Sequence, residues 1–275
     1  MSLSDAFTPQ SPLVLVGVGK MGGAMLAGWL ARGLDPKAVV AVDPAPPPDS
    51  LAIIAKAGIR SVAAPPPATA RVIVIAVKPQ IIAGVLPKLR AMIGRDTIIL
   101  SIAAGATLKN LADGLGEAAI VRSIPNTPAQ VARGMTAAIA NERVGPAEKA
   151  LVARLLESIG EVAFVEEESQ IDMATAVSGS GPAYVFLLAE CLMEAAMAEG
   201  ASREVASQLA RQTIVGAAEL LRQSDLPPEK LRENVTSPNG TTAAALAVLM
   251  ADGGMAALLR KAVHAARKRS EELSG

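Results

Sequence analysis

Near its N-terminus the chain reads Leu13-Val-Leu-Val-Gly17-Val-Gly19-Lys-Met-Gly22-Gly-Ala-Met-Leu-Ala27. The apolar run Leu13–Val16 predicts a buried parallel strand, and an apolar helical pattern follows the glycines. Gly17, Gly19 and Gly22 have the spacing G-x-G-x-x-G. In this motif the first glycine permits a tight turn, the second lets a pyrophosphate approach the backbone, and the third packs helix against strand. The start of the helix offers unpaired N–H groups to the phosphates. The stretch therefore predicts a dinucleotide-binding fold.

A second strand supports this prediction, which needs support because glycine-rich turns also occur without a ligand. The run Ala38-Val-Val-Ala-Val-Asp43 predicts a strand that ends in an acid. Asp43 follows the last glycine of the motif by about 20 residues, the spacing expected for a carboxylate that binds the ribose. We therefore favour a cofactor site over a purely structural glycine turn.

Further apolar runs alternate with helical segments, which is typical of a doubly wound parallel sheet of the Rossmann type. The predicted strands span 71–77, 97–102, 118–122, 134–140 (where an antiparallel pairing is one option) and 161–165. Ligands bind beyond the carboxyl ends of such strands. Four segments should therefore meet in one crevice: the glycine turn, Ala76–Pro79, Ala103–Gly105 and Pro125–Pro128.

The pattern changes near Glu166, after which the chain is Ala-rich, helical and free of strand signals. We predict a dinucleotide-binding domain over 1–166 and an all-α domain over 167–275. Its helices are expected at 171–199, 203–222, 227–233, 241–251 and 255–272. A helical domain this poor in large side chains has a thin core of its own. We expect it to bury apolar faces against a second copy and to act as a dimerisation domain.

Composition excludes several classes of function. Lys and Arg together number 26, as do Asp and Glu, and only 2% of the residues are aromatic. Neither a basic surface nor a stacking platform for nucleic acid is expected. Long apolar runs are interrupted by charge, as by Glu190 and Glu194, so we expect no transmembrane helix and no membrane partner. The first twelve residues lack the pattern of a secretory signal, which favours a cytoplasmic protein.

Side chains that commonly carry chemistry are scarce. The single cysteine, Cys191, lies in an apolar helical run and is expected to be a small buried hydrophobe. The single histidine, His264, is expected on a surface or in packing, and no ligand spacing predicts a metal site. Lys78 follows a strand and either lines the cofactor or is simply solvated. No lysine occurs between Lys149 and Lys230, which argues against the 6-phosphogluconate dehydrogenase relatives, whose catalytic lysine falls in this region.

Two segments of the helical part invite a special explanation. Ser178-Gly-Ser-Gly-Pro182 interrupts a predicted helix, so either the helix kinks for packing or a substrate approaches the backbone. Asn234-Val-Thr-Ser237-Pro-Asn-Gly240-Thr-Thr242 precedes an apolar helix. Ser237 or Thr241 is expected to cap that helix, which is the simpler interpretation. The alternative is an anion site for a carboxylate, built from the same N–H groups and hydroxyls.

These two segments together resemble the signature pair of the pyrroline-5-carboxylate reductases. Arg122-Ser-Ile-Pro-Asn-Thr-Pro128 with Gly134, and Ala76-Val-Lys-Pro79, are also similar to that family's pattern. The matches run in the right order from Val16 to Ala251. The resemblance implies a Rossmann domain followed by a helical dimerisation domain. It also implies hydride transfer from NADH or NADPH to the C=N carbon of pyrroline-5-carboxylate, which gives L-proline.

The resemblance also implies roles for residues. It places the cofactor against Val16, Gly17, Val18, Gly19, Lys20, Met21, Ala76, Val77, Lys78 and Pro79, with Ala103 and Ala104 near the nicotinamide. It places the substrate against Glu168, Thr175, Gly179, Asn234, Val235, Ser237, Gly240, Thr241 and Thr242. Asn234 lies where cofactor and substrate meet. The Ser237–Thr242 turn takes the carboxylate, and the hydroxyl of Thr242, the predicted catalytic residue, bonds the ring nitrogen.

Asp43 favours a free ribose 2′-hydroxyl and repels a 2′-phosphate, so we expect NADH to be preferred to NADPH. At least a homodimer is expected, with rings of dimers known in the family. Two other hypotheses stay open at this point. One is another imine or keto-acid reductase on the same scaffold, and the other is a non-catalytic NAD(P)-binding regulator.

Overall fold

A computed structural model of the protein describes residues 3–274. Its eight strands form one sheet in the order β3-β2-β1-β4-β5-β6-β7-β8. Every neighbouring pair is parallel except β6 and β7, which are antiparallel. The strands are β1 Leu13–Val16, β2 Val39–Val42, β3 Arg60–Val62, β4 Val72–Ile75, β5 Ile98–Ser101, β6 Ala119–Pro125, β7 Gly134–Ala140 and β8 Gly160–Phe164. The predicted α/β fold and the antiparallel option for 134–140 are confirmed.

Both faces of the sheet are buried, which explains why the strands read as continuous apolar runs. Leu13 and Leu15 point into one core, whereas Val14 and Val16 point into the other. The first core holds Trp29, whose indole Nε1 donates to the Leu155 carbonyl at 2.9 Å. Helices therefore cover the sheet on two sides, as a doubly wound fold requires.

The helices of this part are α1 Leu3–Ala6, α2 Lys20–Ala31, α3 Pro48–Ala57, α4 Pro79–Leu89, α5 Leu108–Leu115 and α6 Pro146–Glu157. The strand β3 was not predicted, because it has only three residues, none of them buried. The helix α4 begins at Pro79, with Lys78 as its N-cap residue. Proline tolerates the first helical position, since the N–H that it lacks has no intrahelical partner there.

The remaining helices are α7 Ser169–Ala174, α8 Gly181–Ala198, α9 Arg203–Gln223, α10 Pro228–Asn234, α11 Thr241–Leu249 and α12 Met255–Ser274. The described residues form two compact units. One extends to Gly179 and resumes at Arg267, and the other is Ser180–Ala266. The first unit thus extends past the predicted boundary after residue 166, because Ile171 and Ala174 of α7 pack against Ala137 and Ile139 of the sheet.

The helix α8 has no buried residue in the single chain. Cys191 lies on it and is exposed, so the expectation of a buried cysteine was wrong for the isolated protomer. The continuous helical stretch Ser169–Ala198 is also long and apolar enough to span a membrane, by length and composition alone. Only 6% of its most apolar window is buried. The exposed apolar surface therefore belongs to a helix that one protomer leaves uncovered.

Candidate active site

The glycine turn after β1 has three glycines in three different environments. Gly17 has φ +90°, and a Cβ there would lie 2.7 Å from the Ala76 carbonyl oxygen. A Cβ at Gly22 would lie 2.3 Å from the Gly17 carbonyl oxygen. A Cβ at Gly19 would meet nothing within 4 Å. Packing therefore requires two of the glycines, whereas the side of Gly19 is open to an approaching ligand.

The helix α2 begins directly behind this open side. Gly19 is its N-cap residue, and no side chain caps the helix. The first N–H groups of a helix lack intrahelical partners and carry the positive end of the helix dipole. The turn thus combines room for a ligand with donors for an anion, and these features fit the pyrophosphate of a dinucleotide.

Asp43 connects the end of β2 to the same turn. Its Oδ2 accepts the backbone N–H of Val18 at 2.8 Å, and its Oδ1 accepts that of Ala45 at 2.9 Å. Asp43 also lines a cavity of about 550 Å³ together with Val16, Gly17 and Val77. The carboxylate therefore lies at the wall of this cavity and is tied to the glycine turn.

The segment Ala76–Pro79 lies beside the glycine turn at the end of β4. The Ala76 N–H donates to the Val16 carbonyl at 2.8 Å. Lys78 is exposed and precedes the first residue of α4. Its exposure agrees with a solvated amine and does not decide between the two roles considered for it.

The loop after β5 is the third segment of the crevice. Ala103 is buried and Ala104 is exposed. Gly105 has φ +76°, and a Cβ there would lie 3.1 Å from the Leu273 carbonyl oxygen. Ala104, Gly105 and Pro79 line a second cavity, of about 610 Å³. Of the two residues predicted near the nicotinamide, Ala104 thus lines a cavity within the first unit, whereas Ala103 is buried beside it.

The fourth segment lies at the end of β6, and Asn126 within it makes hydrogen bonds to backbone groups of the protein. Asn126 donates through Nδ2 to the Ser178 carbonyl at 2.9 Å, and its Oδ1 accepts the Met135 N–H at 2.8 Å. The residues Thr175–Gly179 form a π-helical turn, which explains the interruption predicted at 178–182. Such turns leave the regular bonding ladder and are frequent at functional sites. The Asn126 amide thus fixes the backbone of this turn.

Two predicted substrate residues lie in or beside this turn. Thr175 is half-buried, and its hydroxyl donates to the Ile171 carbonyl at 2.7 Å. A Cβ at Gly179 would meet only the Thr175 side chain, at 3.6 Å or more. Packing therefore does not require glycine at this position. The alternative explanation for the glycine, that a substrate approaches the backbone, stays open.

Glu168 is the predicted substrate residue with the most defined partners. Its Oε1 lies 2.6 Å from Nη1 of Arg122 and accepts the backbone N–H of Leu108 at 2.8 Å. The Arg122 side chain is 5% exposed and that of Glu168 is 33% exposed. We had assigned no role to Arg122 from the sequence. The signal was present, since a lone charge at the end of the apolar run Ala118–Val121 must find a partner when it is buried.

The segment Asn234–Thr242 lies in the second unit. Asn234 ends α10, Val235 is 65% exposed, and Thr242 is half-buried. The Gly240 N–H donates to the Ser237 carbonyl at 3.0 Å, which closes a turn with Asn239 at φ 57°.

The helix α11 begins at Thr241 with Gly240 as N-cap and no side-chain cap. The expected cap by Ser237 or Thr241 was therefore wrong: Thr241 is already helical, and Ser237 precedes the cap residue by one turn. The N–H groups at the start of α11 stay open, as the anion-site alternative requires.

His264 is exposed, in agreement with the expected surface position. Within residues 3–274, no group of three or more His, Cys, Asp or Glu side chains is arranged to hold a metal ion. The chemistry-bearing groups described are therefore backbone N–H groups, hydroxyls and a small number of carboxylates and cations.

Comparisons with known proteins identify relatives of the chain. Residues 168–273 match the family model for pyrroline-5-carboxylate reductase dimerisation, and residues 12–105 match that for coenzyme F420-dependent NADP oxidoreductase. A pyrroline-5-carboxylate reductase from Pseudomonas aeruginosa is 39% identical over 266 residues, with 95% of this chain and 96% of that protein covered.

Solved structures are similar over nearly the whole chain. A pyrroline-5-carboxylate reductase from Coxiella burnetii has a TM-score of 0.89 at 36% identity, covering 97% of this chain and 99% of the other. The Plasmodium falciparum pyrroline carboxylate reductase, solved with NADP bound, has a TM-score of 0.80 at 29% identity, covering 98% and 100%.

Proposed function

The chain belongs to the pyrroline-5-carboxylate reductase family, and we propose roles for its residues in the reaction that gives the family its name. The protein reduces L-1-pyrroline-5-carboxylate to L-proline with NADH or NADPH, the final step of proline biosynthesis. Its first unit holds the dinucleotide. The segment Asn234–Thr242 receives the substrate.

The open side of Gly19 at the start of α2 is the observation that carries the cofactor site. A pyrophosphate fits there because no atom lies within 4 Å of the Cβ position and the first N–H groups of α2 are uncapped. Asp43 holds the ribose, and Ala103 and Ala104 border the nicotinamide. When bound, the dihydronicotinamide supplies a hydride.

The substrate site uses the open start of α11. The carboxylate of pyrroline-5-carboxylate accepts hydrogen bonds from backbone N–H groups of the Ser237–Thr242 turn. This binding mode requires no charged side chain. The Thr242 hydroxyl orients the ring nitrogen. A cyclic imine that arrives protonated has an iminium carbon that accepts hydride, and the C=N π electrons pass to nitrogen and neutralise its charge. The site therefore needs positioning more than a strong acid, in agreement with the absence of a histidine or lysine from the predicted substrate residues.

We infer that the second unit forms at least a homodimer. The dimerisation model covers 168–273, and exposed apolar residues line a groove of about 380 Å³ between α8 and α9. Phe186 on this groove is 62% exposed, and a second protomer would cover it. Larger rings of dimers and a cytoplasmic location are further proposals.

The decisive test is an assay of cofactor oxidation with purified protein and pyrroline-5-carboxylate. We expect turnover with this imine and much slower turnover with piperideine-2-carboxylate or ketopantoate. Faster reduction of either of those acids would identify another reductase on the same scaffold. Cofactor binding without oxidation in the presence of every substrate would indicate a regulator.

A further inference from the structure

Arg122 is a buried cation in the middle of the strand β6. The residue is 4% exposed and lies opposite Ser101 in the register of β5 and β6. Ser101 is the last residue of β5, so Arg122 sits where the loop 102–107 begins. Burying a guanidinium costs free energy unless it is paired and hydrogen-bonded. Its partner is therefore needed to keep Arg122 in this position.

Glu168 is that partner, and it joins two elements. Its Oε1 receives Nη1 of Arg122 at 2.6 Å and the backbone N–H of Leu108 at 2.8 Å. Leu108 is the first residue of α5, directly after the loop. One carboxylate oxygen thus links the middle of β6 to the far end of the loop.

The near end of the loop is held by a different set of bonds. The Ser123 hydroxyl donates to the Ser101 carbonyl at 3.1 Å, and the Ile102 N–H donates to the Ile75 carbonyl at 3.0 Å. Between these anchors and Leu108 lie Ala103 and Ala104. The position of these two alanines therefore depends on both anchors.

The last turn of α12 closes on the same loop. Ser274 Oγ lies 3.4 Å from Nη2 of Arg122, and the Leu273 carbonyl faces the Cα of Gly105 closely enough to be 3.1 Å from a Cβ there. Asp172 accepts the Ser270 hydroxyl at 2.6 Å and holds this turn in place. The loop is thus fixed from the sheet, from α7 and from the C-terminal turn.

We propose that Arg122 and Glu168 are positioning residues for hydride transfer, which act by holding the loop 102–107 at the nicotinamide, in place of the substrate contact that the family resemblance implied for Glu168. The inference rests on the proposed placement of the nicotinamide beside Ala103 and Ala104. Hydride transfer depends steeply on the distance and angle between donor and acceptor carbons, so a displacement of about 1 Å costs up to about 100-fold in rate.

The test compares Arg122→Met and Glu168→Ala with the wild-type full-length enzyme. We expect kcat to fall about tenfold or more with each variant, whereas KM for pyrroline-5-carboxylate changes less than about threefold. The primary isotope effect with cofactor deuterated at the transferred position should rise, because hydride transfer becomes rate-limiting. The matched control is Arg143→Met, which removes an exposed ion pair with Glu117 (Nη2 to Oε2, 3.0 Å) and should leave all three quantities unchanged.

Conservative variants separate positioning from folding. Glu168→Gln keeps an oxygen for the Leu108 N–H and Arg122→Lys keeps the charge, so each should retain more kcat than its truncated counterpart. They also serve where a truncated variant does not fold. An unchanged isotope effect and kcat in all four variants, with only the melting temperature lowered, would overturn the proposal. A rise in KM for pyrroline-5-carboxylate with unchanged kcat would overturn it too, since Glu168 would then bind the substrate itself.

One further variant distinguishes a failure of this inference from a failure of the proposed cofactor site. Ala104→Leu places a larger side chain in the cavity that Ala104 lines and should raise KM for the cofactor. If Ala104→Leu has no effect, the placement of the nicotinamide is wrong. If it acts as expected while the Arg122 and Glu168 variants keep wild-type kcat and isotope effect, only the positioning role is wrong.

Discussion

At the scale of single residues, Thr242 is the predicted hydrogen-bond partner of the reacting nitrogen. It is half-buried on the first turn of α11, where the helix has no side-chain cap. Thr242→Val keeps the shape and removes the hydroxyl, so we expect kcat/KM for pyrroline-5-carboxylate to fall about 100-fold. Thr242→Ser keeps the hydroxyl and should retain most of the activity. Steady-state kinetics with both variants checks this, and equal activity of the Val and Ser variants would contradict the role.

Asp43 is the residue that we expect to set the preference for NADH over NADPH. Its carboxylate lines the cavity beside the glycine turn that we propose as the cofactor cleft, so a 2′-phosphate bound there would meet a like charge. We expect wild type to prefer NADH and Asp43→Ser to raise kcat/KM for NADPH relative to NADH by about tenfold or more, since like-charge contacts cost several kcal/mol. Asp49→Ser, which removes an exposed acid a few residues further on, is the control. A wild-type preference for NADPH would refute the prediction.

At the scale of elements, two glycine variants of the turn after β1 should separate effects on cofactor binding from effects on stability. Gly17→Ala forces a side chain into a positive φ and against the Ala76 carbonyl, so we expect a loss of about 2 kcal/mol or more in the free energy of unfolding. Gly19→Ala has free space and an ordinary φ of −68°. It should melt like wild type while KM for the cofactor rises about tenfold, because the methyl group occupies the approach of the pyrophosphate. Thermal melts and cofactor titrations on both variants test this separation.

The π-helical turn depends on one amide for its attachment to the sheet. Asn126→Asp keeps an acceptor for the Met135 N–H but places an oxygen against the Ser178 carbonyl. Such an unsatisfied buried contact costs about 1–3 kcal/mol, so the free energy of unfolding should fall by that amount. Asn110→Asp, in the exposed first turn of α5, is the control, and equal denaturation midpoints for the two would argue against the attachment.

Helices and strands differ in how well their local patterns predicted them. Strands with both faces buried, such as Leu13–Val16, are apolar at every position and were located correctly. The edge strand Arg60–Val62 lacks that signal because it has only three residues and none of them is buried. Capping of α11 was predicted wrongly, because the residue types permitted two turn geometries that differ only in where the helix begins.

The candidate site was predictable to different degrees for its two ligands. The proposed cofactor cleft was derived from glycine spacing and strand order, which are physical constraints of one fold. The substrate residues came only from a family resemblance, since open N–H groups at a helix start suit any carboxylate. Arg122 was missed because its partners, Glu168 and Leu108, are distant in sequence and no local pattern joins them.

At the scale of the whole molecule, the second unit makes a prediction about assembly. We expect gel filtration at micromolar concentration to show a dimer or a larger assembly. Phe186→Glu should shift it toward monomer, because a charge in a buried apolar interface is strongly unfavourable. Val131→Glu alters an apolar residue of the first unit that is 70% exposed, and should leave the assembly unchanged. A wild-type monomer would contradict the proposal.

The two outer strands of the sheet have a consequence for how copies of the chain meet. An open sheet presents unpaired backbone groups at its edges, and these invite uncontrolled aggregation. One edge is the three-residue strand β3, which carries the exposed Arg60. The other is β8, whose final residue Phe164 lies under Lys149, with the amine 4.6 Å from the ring centre. The short length of β3 and the cation beside the end of β8 make both edges poor templates for strand addition, which favours the helices as the surface through which copies would meet.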